Sequence, residues 1–201
     1  MTPRRVGILG GTFDPPHIGH LILAEYARGT LDFERLLFVP AADPPHKQDE
    51  HKAAIEYRLA MLKLAIADNP HFEISHVDID RPGPHYSVDM VRIIGKQYPD
   101  AELYFVMGGD SLTDLPRWHR PAEFIRQCKL AVMRRPDENI HAGMHDTVLP
   151  GLAERVVMID APLVGISSTL IAERVGQGQS VRYLVPDSVH NYIVQNRLYE
   201  M

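Results

Sequence analysis

The stretch "RVGILGGTFDPPHIGHLILAEYARGT", residues 5–30, decides the fold. Its first apolar run is too short for a helix and reads as a buried strand ending in Gly10-Gly11. Pro15 and Pro16 stiffen a turn, and Ile18, Leu21, Ile22 and Ala24 then follow at helical spacing. A strand, a glycine loop and a helix in this order make an anion cradle. Glycines lacking a Cβ let a phosphate approach the backbone, and the amino end of the helix faces the same anion. The loop ends in His-Ile-Gly-His instead of the Lys-Ser/Thr of an ordinary nucleotide cradle. His17 and His20, three residues apart, share a helix face, and Gly19 keeps that face low enough for a bulky ligand. One histidine among 11 is most often structural. Two at this spacing, directly behind a strand and a diglycine, suit a phosphate whose charge grows during reaction.

The alternation continues outward. Strands are expected at 5–10, 35–40, 71–79, 102–110, 129–136 and 155–162. Amphipathic helices are expected at 53–69, 87–99, 167–178 and 186–198, with Ser87 as a candidate N-cap and Pro186 near a first turn. This predicts a doubly wound, mostly parallel α/β sheet with helices on both faces, in one domain over residues 1–201. Ligands in such sheets bind at the carboxyl ends of the strands. The glycine loop, the loop after Pro40, Gly108–Asp110 and Arg134-Arg135 all fall there.

Composition narrows the function. The 201 residues are 45% apolar, which fits a soluble globular chain, and 21 basic against 26 acidic residues leave a net charge of −5. A general nucleic-acid binder would show a basic excess, so an anion has to be held by a local pocket. No apolar run is long enough to span a bilayer and no signal peptide is evident, so a cytoplasmic protein is expected. The single cysteine, Cys128, cannot form an internal disulfide and reads as a small buried residue at a strand start. His141 and His145 are four apart, but Gly143 between them argues against a helical metal site.

The run "GGTFDPPHIGH" resembles the signature of the nucleotidyltransferase superfamily, whose core is His-x-Gly-His. Its fuller form is similar to the bacterial nicotinate-nucleotide adenylyltransferases. "VPAADPPHK" (39–47), "EYRLAML" (56–62), "HYSVDM" (85–90), "MGGDSLTDLPRWHRP" (107–121), "GISSTLIAERV" (165–175) and "SVRYLVPDSVHNYIVQNRLY" (180–199) resemble further motifs of that family. The likeness is patchy only over 134–155. Each motif also has a plainer reading: a rigid proline loop, a solvated Arg58, a first-turn acid at Asp89, a core-filling Trp118, or helix capping by Ser167 and Ser168. The sequence departs from the family where Ala172 stands at the usual arginine, with Arg174 two residues on and on a different helix face.

The resemblance implies adenylyl transfer from ATP to nicotinate mononucleotide, giving the deamido dinucleotide and pyrophosphate without a covalent intermediate. It implies His17 and His20 as catalytic residues. The ATP site would comprise Gly10, Gly11, Thr12, Phe13, His20, Gly108, Asp110, Ser167, Ser168 and Arg174. The mononucleotide site would comprise Phe13, Asp14, His17, Lys47, Ser87, Asp110 and Trp118. Mg2+ would accompany ATP, held by phosphate oxygens and water without dedicated protein ligands. No nucleic-acid or membrane partner is expected, and a homo-oligomer is compatible with the sequence. Alternatives are transfer to nicotinamide mononucleotide or pantetheine phosphate, and a nucleotide-sensing module that binds without reacting. A dehydrogenase lacks the Gly-x-Gly-x-x-Gly it would need after the first strand.

Overall fold

The computed structural model describes residues 4–42, 53–134, 140–162 and 164–200. Strand β1 (Arg4–Gly11) leads through helix α1 (Ile18–Leu31) to β2 (Arg35–Pro40), then α2 (Ile55–Ala65), β3 (Phe72–Ile74), α3 (Ser87–Gln97) and β4 (Ala101–Gly108). Two short helices, α4 (Gly109–Asp114) and α5 (Pro121–Gln127), precede β5 (Lys129–Arg134) and β6 (Val156–Asp160), and α6 (Ser168–Gly176) and α7 (Asp187–Gln195) close the chain. The strands form one sheet in the order β3-β2-β1-β4-β5-β6, and every pairing is parallel. This is the doubly wound architecture expected from the alternation.

Period-two alternation within apolar strands buries both faces of the sheet. Leu9, Leu36, Phe38 and Val106 point to a core shared with α1, α2, α6 and α7. Ile8, Leu37, Val39 and Phe105 point to the opposite core, shared with α3, α4 and α5. Met90 is buried in this second core, and Cys128 is buried just before β5, where its Sγ lies 3.7 Å from the Phe124 carbonyl.

Several boundaries differ from expectation. The helix expected to 69 ends at Ala65, because Asn69 forms an Asx turn onto the His71 amide at 3.0 Å and precedes Pro70. The strand expected over 71–79 stops at Ile74, and the chain curls where the buried Asp78 pairs with Arg81 at 2.7 Å. Ser87 is the first residue of α3 and not its cap; the extended Tyr86 occupies that place. Helix α5 was not expected, although Pro121 at its first position is a start signal.

Candidate active site

Strand β1 pairs with β2 as far as Gly11 and Pro40, but its pairing with β4 ends at Ile8 and Phe105. Past that point the two strands part. This is where the strand order reverses, so the crevice at the carboxyl ends of β1 and β4 is the place where such a sheet takes a ligand.

The histidine pair stands at this crevice. His17 has the extended backbone of an N-cap and His20 is the third residue of α1. Their rings stack with centroids 3.7 Å apart and 24° between planes. The His17 amide donates to His20 Nδ1 at 3.2 Å. With Nδ1 accepting, neutral His20 carries its proton on Nε2. Burial pushes His17 down to about 4, and burial together with its neighbour His17 pushes His20 down to about 3. Both rings are therefore neutral at pH 7 and can offer N–H dipoles. A Cβ on Gly19 would lie 3.0 Å from His17 Nδ1, so the space that glycine leaves is filled by the His17 ring and not by a ligand. His17 Nδ1 is buried without a hydrogen-bond partner. The amino end of α1 is less open than expected. The His17 amide is engaged by His20, the Ile18 amide donates to Leu184 O at 3.0 Å, and the His20 amide donates to His17 O at 3.0 Å.

Helix α6 docks its start against the same loop. Ser168 Oγ donates to Pro15 O at 2.9 Å across 153 residues of sequence, and Ser167 caps α6 by accepting from the Leu170 amide at 3.1 Å. Both motif serines thus have structural partners, and Ser168 brings the two signatures into contact. Arg174 does not join them. It lies in the last turn of α6, where Nε and Nη2 donate to Ser180 O at 3.1 and 3.0 Å. Six residues of helix, about 9 Å of rise, separate it from Ser168. Lys47 and the Pro-Pro-His-Lys loop lie outside the described residues.

On the β4 side, a Cβ on Gly108 would lie 2.6 Å from Asp110 Oδ1, so the exposed Asp110 carboxylate folds back over the strand end. Trp118 is half-buried, edge-on to Phe105 at 5.8 Å and tilted against Phe124 at 5.3 Å. It serves as a partial core residue with part of its surface free. A Cβ on Gly10 would touch both Met90 and Phe105 at 3.6 Å, so the glycine loop and the Trp118 region share a wall. Ser87 follows Tyr86, whose ring stacks on His119 at 4.0 Å and joins the start of α3 to the Trp118 loop. Asp89 is a first-turn acid paired with Arg92 at 2.5 Å. No cluster of three metal-ligating side chains occurs among the described residues. His141 and His145 lie in turns, and His145 Nε2 is 3.1 Å from Thr113 O.

Besides Arg174, three residues sit differently from the sequence reading. The Phe13 ring is 1% exposed, edge-on to His20 at 5.0 Å, so it supports the histidine and only its backbone can meet a ligand. Asp14 has both carboxylate oxygens engaged, Oδ1 by the Tyr199 hydroxyl at 2.5 Å and Oδ2 by the Ala53 amide at 3.0 Å. Arg58, far from being solvated, is 2% exposed and donates to the carbonyls of Thr12, Ala41, Ala42 and Ala53. Tyr199 was missed, and no local pattern marks it.

The cytidylyltransferase-like family model matches residues 8–174. Among curated proteins, the "probable nicotinate-nucleotide adenylyltransferase" of Thermomicrobium roseum is 46% identical over 97% of this chain and 91% of its own length. The protein of that name from Roseiflexus sp. is 43% identical over 99% of this chain and 100% of its own. Among solved structures, Plasmodium falciparum nicotinic acid mononucleotide adenylyltransferase complexed with NaAD aligns with a TM-score of 0.78 at 16% identity, covering 98% of this chain and 97% of that one. The same protein complexed with APC gives 0.77 at 15% identity, with coverage of 98% and 97%. At those identities the structural likeness speaks for the fold.

Proposed function

This chain belongs to the cytidylyltransferase-like family, among its nicotinate-nucleotide adenylyltransferases, and we propose that it transfers the adenylyl group of ATP to nicotinate mononucleotide. The products are the deamido dinucleotide and pyrophosphate. The observation that carries this reading is the stacked His17–His20 pair at the point where β1 and β4 part.

The acceptor is already a nucleophile. A phosphate oxygen of the mononucleotide attacks the α-phosphorus in line, a new P–O bond forms, and the bond to the bridging oxygen of the β-phosphate breaks. No enzyme base or covalent intermediate is required. Catalysis reduces to positioning and to hydrogen bonds that strengthen as charge shifts onto the leaving pyrophosphate. His20, with its proton on Nε2, is the donor for reacting phosphate oxygens, and His17 braces it. The start of α6 closes the triphosphate side. Arg174 is withdrawn from that role, because its guanidinium is committed to Ser180. Trp118, the backbone at Ser87 and Asp110 border the mononucleotide. A magnesium ion accompanying ATP would be held by phosphate oxygens and water, with Asp110 just past the end of β4 as the carboxylate that would face that water shell. When bound with ATP, that ion neutralises triphosphate charge.

Pyrophosphate release with ATP and magnesium tests the proposal, using nicotinate mononucleotide, nicotinamide mononucleotide and pantetheine phosphate in parallel. The proposal expects the nicotinate form to give the highest kcat/KM. Turnover confined to pantetheine phosphate or to the amide would replace it.

A further inference from the structure

We propose that Tyr199 is a positioning residue for the transfer, acting through Asp14 to hold the loop that carries His17 and His20. The inference rests on the adenylyltransferase reading of that loop.

The geometry is a tether between the chain's far end and its first loop. The Tyr199 hydroxyl donates to Asp14 Oδ1 at 2.5 Å across 185 residues. A short O–H···O⁻ bond of this kind is charge-assisted and roughly twice as strong as a neutral one. Burial and the Asp14 charge both raise the Tyr199 pKa, so the phenol stays a donor at every working pH. Asp14 Oδ2 accepts from the Ala53 amide, and Arg58 donates from Nη1 to Thr12 O at 2.9 Å and from Nε to Ala53 O at 3.1 Å. Arg58, Asp14 and Tyr199 therefore grip residues 12–14 from the outside of the loop, while Ser168 grips Pro15 O from α6.

The loop needs gripping. Phe13 has φ of +51°, a left-handed backbone that a bulky residue adopts only when its surroundings enforce it. Its ring then packs edge-on under His20. Tyr199 itself sits at φ +65°. The bond thus runs from one strained residue, Tyr199, to the carboxylate of Asp14, the immediate neighbour of the strained Phe13. Releasing it leaves the Phe13 turn free to relax, which shifts His20 relative to the reacting phosphates. Asp14 then acts as a link in this chain and not as a ligand of the mononucleotide.

The test compares Tyr199→Phe, Asp14→Asn and the double variant, at a temperature where all are folded. Two readouts are taken: kcat with ATP and nicotinate mononucleotide, and amide hydrogen exchange of residues 12–20. Tyr199→Phe is expected to lower kcat about tenfold, in line with the rate lost to small misplacements. It is also expected to speed exchange in 12–20 at least fivefold while leaving β4–β6 unchanged. In the Asp14→Asn background the same substitution is expected to change both by less than it does in the wild type, because the neutral amide oxygen accepts from the hydroxyl more weakly than the carboxylate does. A kcat and an exchange rate within twofold of wild type in Tyr199→Phe would overturn the proposal. So would a Tyr199→Phe effect that persists undiminished in the Asp14→Asn background. Absence of wild-type turnover would sink the adenylyltransferase reading instead, and the exchange data would still decide the role of Tyr199.

Discussion

The amide of His17 donates to Nδ1 of His20, 3.2 Å away, while the two imidazoles stack above one another. One bond thereby fixes a tautomer and forbids two neighbouring cations. The cost appears in acid. Both histidines titrate lower in the folded protein than in the unfolded chain, at about 4 and about 3 against 6.5. Below pH 6.5 the unfolded state therefore binds more protons, and stability present above 6.5 is lost as pH falls toward 4 and 3. Between pH 6.5 and 5 each histidine accounts for up to about 2 kcal/mol. Urea unfolding of wild type and His20→Asn at pH 7 and pH 5 checks this. The variant, whose side-chain carbonyl can still accept from the His17 amide, is expected to lose less on acidification. Equal losses would refute the assignment.

Ser168 joins α6 to Pro15, and Ser188 makes a similar side-chain bond far from the crevice, to Leu64 O at 3.2 Å. Ser→Ala at either position removes one such bond, worth about 1 kcal/mol, or about 2–4 °C in Tm for a chain of this size. Only Ser168→Ala is expected to lower kcat/KM, by about fivefold or more on the scale of small geometric misplacements. Kinetic losses of equal size in both variants would remove the special role of the α6 contact.

Two glycines separate stability from function. A Cβ at Gly7 would meet the Phe33 ring at 2.6 Å inside the core, and one at Gly108 would meet only the Asp110 carboxylate, also at 2.6 Å. Gly7→Ala should cost about 1–3 kcal/mol through overpacking. Gly108→Ala should cost under about 1 kcal/mol, since a flexible exposed side chain can swing away. It should nonetheless lower kcat/KM by displacing Asp110. Thermal unfolding and steady-state kinetics on the two variants give the comparison; an unaltered kcat/KM in Gly108→Ala would remove Asp110 from the site.

Burial pushes the Cys128 thiol up to about 12, so almost none is thiolate at pH 8. The folded protein should resist a maleimide at that pH and react fully in denaturant. Stoichiometric labelling of the native state would contradict the buried placement.

How far the sequence could be read follows from which signals are local. Strand runs such as 35–40, the helix start at Ser167 and the glycine loop are written in neighbouring residues, and the parallel sheet follows from their alternation. The histidine pair was legible for the same reason. Its tautomer was not, because that depends on a backbone amide turning back onto Nδ1. The residues placed otherwise are those whose partners lie far along the chain. Arg58 looks like a solvated helix arginine until the carbonyls of Thr12 and Ala41 close around it. Asp14 looks like a ligand until Tyr199 reaches it. Arg174 looks like a phosphate clamp until the turn after α6 presents Ser180 O. Alternation over 71–79 predicts a long strand, but β3 stops at Ile74 and the chain beyond turns where Asp78 pairs with Arg81.

The role of the histidine pair is decided by the rate of deamido-dinucleotide formation from ATP and nicotinate mononucleotide by wild type and by His20→Ala. The wild type is expected to form dinucleotide and pyrophosphate in equal amounts. In the variant kcat should fall by about 10²–10³, the loss typical of one hydrogen-bond donor aimed at developing charge. A variant retaining more than a third of the wild-type kcat would place the chemistry elsewhere than at this pair.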